Sequence, residues 1–227
     1  METTKKYELS NITIEINGVT LHRIKALKDF SDVKTGDLGG WVEKEDNLSQ
    51  IGNAWVYDDA KVYGNAKVFG NAKVYGNAKV FGNAEVYGNA LVCDNARVYG
   101  NSEVYGDAKV YDYAWVYDKS SVHGNARISD YAEVHNNAEI CGNAFVCGYA
   151  EIYGDIVVKN NADYIVFKNF WSSGRYFTWT KSNNMWKVGC FYGTGEELIR
   201  KAYKDSAKSG KEYEKIVRYV DSILTNK

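Results

Sequence analysis

A chain of 227 residues with 45% hydrophobic and 25% charged side chains can bury a sizeable core in one or two domains and is too apolar for general disorder. Its 28 basic and 29 acidic side chains nearly cancel, which excludes bulk attraction to DNA, RNA or an anionic membrane and makes any anion site a local matter. No apolar run approaches the length of a membrane span, and METTKKYELS has no apolar segment behind its lysines, so the expected location is the cytoplasm. Cys93, Cys141, Cys147 and Cys190 form no C-x-x-C pair, and the first three stand where neighbouring segments carry Tyr or Phe. They are expected to be reduced apolar substitutes, neither disulfides nor metal ligands.

The first predicted element is a hairpin. NITIEINGVTLHRIKAL reads as two alternating strands around Asn17-Gly18, a dipeptide that accepts the positive φ of a tight turn. Residues 1–47 are read as a cap that closes the open end of the repetitive segment downstream.

From Val56 to Asp163 a six-residue unit, V-Y-G-N-A-K in its commonest form, is laid down eighteen times without insertion. Position one is always Val or Ile, and position five is Ala with few exceptions, such as Ser120 and Ile156. The alternation in A-x-V-Y turns Ala and Val inward and x and Tyr outward, and Gly-Asn is read as the corner, both residues tolerating left-handed backbone. Strands this short cannot close hairpins in so small a spacing, but they can form the sides of a triangular coil. Eighteen units then make six turns, expected over residues 48–163.

This pattern resembles the hexapeptide-repeat, left-handed parallel β-helix family, in which three units make one turn. The G-N-A-x-V-Y variant, with its D-L-G-G-W-V-E leader, is similar to uncharacterised bacterial and bacteriophage proteins that carry a transferase label inherited from the fold. The resemblance implies a mainly β fold, a homotrimer and two kinds of activity. One is acyl transfer from acyl-CoA, with a histidine base at the subunit boundary and a loop extruded from the coils. The other, from the phage-type relatives, is non-catalytic sequestration of a small anionic or nucleotide-like ligand, or binding of a host protein, in a counter-defence role. A structural spacer presenting the C-terminal module is a third reading.

The residues weigh against catalysis and any cofactor. His123 and His135 are the histidines within the repeat. They lie two units apart, hence on different faces, and no loop interrupts the units. Either is the base only if acyl transfer is the activity; otherwise each fills a slot in an aromatic column. Glu133 and Glu151 fall one coil apart, as suited to surface decoration as to a catalytic pair.

Reading every eighteenth residue gives columns along the coil. One places Lys61, Lys79 and Arg97 beside Tyr63, Phe81 and Tyr99, cations and rings that suit a phosphate-bearing ligand or, more simply, a solvated charged face. Another replaces the corner Asn with Tyr113, Tyr131 and Tyr149 in three successive coils. Trp115, Glu133 and Glu151 come directly after these tyrosines; Lys109, Arg127 and Phe145 precede them. An aromatic ridge flanked by both signs of charge reads as a binding surface, for a ligand or for another subunit.

After Asp163 the composition changes. DYIVFKNFW, RYFTWTK and MWKVGCF read as three strands with SSG and SNN turns. Two helices complete the chain, the first opening with a capping box at Thr194 and Glu197, the second carrying Tyr213, Ile216, Val217 and Val220 at helical spacing. Residues 164–227 make a small α+β module of roughly 65 residues, a size at which a core is marginal, so docking on the helix or on another subunit is expected. Trp171, Tyr176, Phe177, Trp179, Trp186 and Phe191, near Arg175, Lys181 and Lys187, are read as core plus docking face before an anion surface. The amides of Gly193 to Glu196 are already explained by the Thr194 cap.

Overall fold

The computed structural model describes residues 5–171 and 174–225, which divide into two compact units, Met1–Asn161 and Ala162–Lys227. In the first, the hairpin forms as read. Strand β1 (Tyr7–Ile16) pairs antiparallel with β2 (Val19–Ala26) around Asn17 and Gly18, both at positive φ. Strand β2 pairs in turn with β3 (Leu38–Val42), which runs parallel to Lys61–Val62 of the repeat.

The leader is therefore more than a lid. Trp41 and Val42 stand opposite Lys61 and Val62, so residues read as cap already lie in register with the coils. Leu48 bridges Val68 in the same way, and the regular units, with this extra strand, make about seven turns where six were expected.

Strands of two or three residues then recur every six residues from Trp55 to Val158, and strands eighteen residues apart pair to build three parallel stacks. The first face carries Lys61–Val62, Lys79–Val80, Arg97–Val98, Trp115–Val116, Glu133–His135 and Glu151–Tyr153. The second carries Trp55, Lys73, Leu91, Lys109, Arg127 and Phe145, and the third Lys67, Glu85, Glu103, Ser121, Glu139 and Val157, each followed by its inward Val or Ile. Those Val, Ile and Ala side chains are sealed from solvent. Each buried valine contributes about 1.5–3 kcal/mol relative to an exposed one, which is how segments too short to be strands alone become a fold. Ser102 and Ser120, which replace the inward Ala, are buried too, and each hydroxyl donates to a carbonyl three residues back at 2.8 Å.

The corner works differently from the Gly-Asn reading. Position three takes the left-handed conformation, as Gly or as Asp58, Asp94, Asp112, Asp118, Asp130 and Asn136. The Asn at position four instead builds ladders along the coil: Asn53 to Asn71 to Asn89 to Asp107, and Asn65 to Asn83 to Asn101, at 2.8–3.1 Å. The corner aspartates also accept from the next coil, Asp130 Oδ2 from the Gly148 amide at 2.8 Å.

At the capped end, Trp55 is buried edge-on to Tyr7 and Phe30, and the Lys6 ammonium donates to the Ala54 carbonyl at 2.8 Å. Burial, aided by Lys28, brings that ammonium down to about 8 from its ordinary 10.5. The unfolded chain holds this proton more tightly, so Lys6 makes stability rise as pH climbs from about 8 toward 10.5. Lys6→Met is expected to flatten that rise, which urea midpoints at pH 8 and pH 10 measure.

The second unit has an antiparallel sheet of four strands, Tyr164–Lys168, Tyr176–Thr180, Met185–Val188 and Phe191–Gly193. The run read as one third strand is two, because Gly189, at φ 56°, turns MWKV back on FYG. The Asn183-Asn184 turn is present, while Ser172 and Ser173 of the SSG turn lie outside the described residues. Helix α1 (Gly195–Asp205) opens on the expected capping box, and Val217 and Val220 of α2 (Ala207–Thr225) are buried against Phe177, Trp179, Trp186 and Leu198. No helix of the described residues is long and apolar enough to cross a membrane.

Candidate functional site

The repeat sorts its outward residues into straight columns, and the first face holds most of the chemistry. Lys61, Lys79 and Arg97 are direct partners in adjacent strands, continued by Trp115, Glu133 and Glu151. The face thus changes sign along its length, with Trp115 at the boundary. Beside them Tyr63, Phe81, Tyr99, Tyr117 and His135 stack in one column, with centroids 4.5–5.1 Å apart and planes within 9°.

Tyr113, Tyr131 and Tyr149 occupy the corner where the second face turns into the first. Their rings stack at 5.2 and 4.9 Å, and each stays about half exposed, at 50%, 50% and 47%. Together with Asn95, Arg97, Trp115 and Glu133, Tyr113 and Tyr131 line a groove of about 310 Å³. The Arg97 guanidinium lies 4.8 Å from the Trp115 ring centre, holding cation and indole together at one end. At the other end the Tyr117 hydroxyl donates to Glu133 Oε2 at 3.0 Å. Burial first, then the Glu133 charge, keeps that phenol protonated far above its ordinary range.

Not every candidate joins this groove. Lys61 and Lys79 extend the cationic column toward the cap, and Lys61 is partly desolvated, which lowers its proton affinity. Arg127 stands over Phe145 at 4.9 Å and lines a separate polar groove of about 430 Å³ with Asn89, Asp107, Lys109, Asn125 and Asn143. A further cavity, of about 520 Å³, is lined by Asp32, Tyr57, Asp58, Lys73, Tyr75 and Leu91. Its polar groups already satisfy one another: Asp32 Oδ1 accepts from Tyr57 and Lys73, both at 2.8 Å, and Lys73 holds that carboxyl well below its usual range. It has less to offer a ligand than the open tyrosine corner.

The histidines lie in different columns, as their spacing implied. His123 stacks on Tyr105 and its Nε2 is 3.1 Å from Glu139 Oε1; His135 stacks on Tyr117 and its Nε2 is 3.2 Å from Glu151 Oε1. Tyr87 and Tyr117 make the same contact, from position two to the carboxylate sixteen residues on. Each histidine therefore does fill a ring slot. Their spacing along the chain nevertheless hides what the coil assembles: His123, Glu139 and Cys141 come together, as do Glu133, His135 and Glu151, each trio with ligand atoms within 4.8 Å of one another. Counting by sixteen and eighteen, the register of the fold, finds both.

In the second unit, Phe177, Trp179 and Trp186 are buried, Trp171, Tyr176 and Phe191 half-buried, and neighbouring Phe170 is 86% exposed. Lys187 Nζ donates to the Gly189 carbonyl. The start of α1 is taken by its own chain: Glu197 accepts from the Thr194 amide at 2.9 Å.

No family model matches the chain. Over 40 residues, 18% of its length, it is 50% identical to a protein of Escherichia coli strain K12 described as "Uncharacterized acetyltransferase YdcK", and that stretch spans 12% of the relative's own length. The unbroken six-residue unit, its eighteen-residue register and the three parallel sheets make this chain a parallel β-solenoid of about seven turns built on a hexapeptide repeat.

Proposed function

We propose that the chain is a binding protein that assembles as a homotrimer and holds a small anionic, nucleotide-like ligand at the tyrosine corner of its first face. The observation that carries this reading is the stacked, half-exposed ladder of Tyr113, Tyr131 and Tyr149 beside the Arg97–Trp115 pair. Rings already stacked on one another leave a planar base their exposed edges and the outer faces of the end rings without new ordering, and the guanidinium supplies the partner for a phosphate. Lys79 and Lys61 lead a longer polyanion toward the cap along the same face.

Native mass spectrometry and thermal shift with a panel of mono-, di- and cyclic nucleotides test it. Trp115→Ala and Tyr113→Ser are each expected to weaken binding about tenfold or more, at about 1–3 kcal/mol per stacked base, with the assembly mass unchanged. Absence of binding across the panel, or affinity unmoved in both variants, overturns it.

A second reading, acetyl transfer, is favoured by the shared stretch with the Escherichia coli protein and by the His135–Glu151 contact, which would orient an imidazole as general base. Release of free CoA thiol from acetyl-CoA, abolished by His135→Tyr or His123→Tyr, would select it over simple binding.

A further inference from the structure

We propose that Glu133, His135 and Glu151 form a binding site for a first-row divalent cation of the zinc or manganese kind. The register creates it. Glu133 and Glu151 are direct partners in adjacent parallel strands and point outward from the same face, so two carboxylates are forced side by side. Like charges so placed are unfavourable, and a bridging cation reverses the sign of that interaction.

His135 completes the set from the neighbouring outward column. Its ring is packed between Tyr117, at 4.5 Å and nearly parallel, and Tyr153, edge-on at 5.0 Å, which leaves the residue 7% exposed. The imidazole cannot swing away. Nε2 faces Glu151 Oε1 at 3.2 Å, while Nδ1 faces Asp118 Oδ2 at 3.8 Å on the other side of the ring. A carboxylate behind a histidine is the arrangement that fixes the orientation and raises the basicity of metal-binding imidazoles. Glu133 is oriented in the same manner by the Tyr117 hydroxyl.

The three ligand atoms lie within 4.8 Å of one another. Donors around a single ion at about 2.0–2.2 Å sit somewhat closer than that, so a modest contraction closes the site and leaves further positions for water. One nitrogen and two carboxylates suit zinc or manganese better than calcium or magnesium, which favour all-oxygen sets.

The test is calorimetric titration of the metal-free full chain with Zn²⁺, followed by the Co²⁺ absorption spectrum as a signature of nitrogen ligation. One equivalent per chain is expected. His135→Tyr, which installs the residue the column carries at Tyr117, and Glu151→Gln should each weaken binding about tenfold or more. His123→Tyr should leave it unchanged, which separates this site from the His123, Glu139 and Cys141 trio. Circular dichroism of the same variants confirms that the coils remain. No saturable binding up to about 1 mM, affinity unmoved by both His135→Tyr and Glu151→Gln, or loss in His123→Tyr alone overturns the proposal.

Discussion

Trp186→Ala is expected to unfold residues 162–227 while leaving the coils intact. Trp186 lies in the strand Met185–Val188, paired on both sides, and is 2% exposed. Its indole stacks near Phe167 and packs in the cluster of Phe177, Trp179, Val188, Leu198, Ile199, Val217 and Val220 that joins the sheet to both helices. Removing a buried tryptophan costs about 3–5 kcal/mol. A single core of this size supplies no more than about 3–5 kcal/mol in total, so the substitution consumes the unit's whole stability. Hydrogen exchange read by mass spectrometry is the measurement. Amides of 176–193 should exchange at the unfolded rate while those of the valine and alanine coils keep wild-type protection. Protection retained in 176–193, or lost throughout the chain, contradicts the expectation.

Gly40→Val should be the most damaging single change at the capped end. A side-chain carbon at Gly40 would stand 2.6 Å from the Ala60 carbonyl oxygen and 2.6 Å from a Val56 methyl, and one at Gly39 would meet Ile24, the Val56 carbonyl and Trp55 within 2.7 Å. The limit here is space, since neither glycine has a positive φ. Strand β3 can pair with Lys61–Val62 only because its backbone comes this close, and its displacement is expected to cost about 3 kcal/mol or more. The first coil then presents unpaired backbone groups, and association through that edge should result. Gly148→Ala is the matched control. Gly148 has φ 69° with nothing within 4 Å of the added carbon, so it should lose only the strain of left-handed backbone, about 1–2 kcal/mol. Denaturant midpoints compare the two, and size-exclusion chromatography reports the association; equal losses in both would contradict the packing argument.

The contrast between these glycines shows what a sequence of this kind exposes to reading. Val and Ala at fixed spacing announce the inward faces without ambiguity, because a six-residue period with two apolar positions has one way to bury them. The tyrosine corner was legible for the same reason: Tyr113, Tyr131 and Tyr149 break the pattern at a constant interval. The contribution of Gly39, Gly40 and Trp41 to the coil was not, since the leader lacks the repeat and reaches its register through a bulge and a second antiparallel pairing. The corner chemistry was half legible. Gly and Asn look equivalent as turn formers, yet one supplies the backbone geometry and the other a side-chain ladder. The trios at His123 and His135 escaped because proximity in this fold lies sixteen and eighteen residues away, beyond the spacing at which metal ligands are ordinarily sought.

That fixed register also makes the molecule a ruler with three sides. Removing one full coil, eighteen residues, from the early turns would bring the tyrosine corner and the Glu133–His135–Glu151 trio one rung nearer the hairpin, about 4.8 Å, with every neighbour preserved. Removing a single six-residue unit between Arg97 and Trp115 would conserve the core just as well, yet turn each later side chain onto the next side of the prism, parting Arg97 from Trp115. Distance along the axis and direction around it are thus separately adjustable, by whole coils in the first case and by thirds of a coil in the second. Surface features on such a scaffold can be relocated by duplication or loss of sequence alone, without a new residue being introduced.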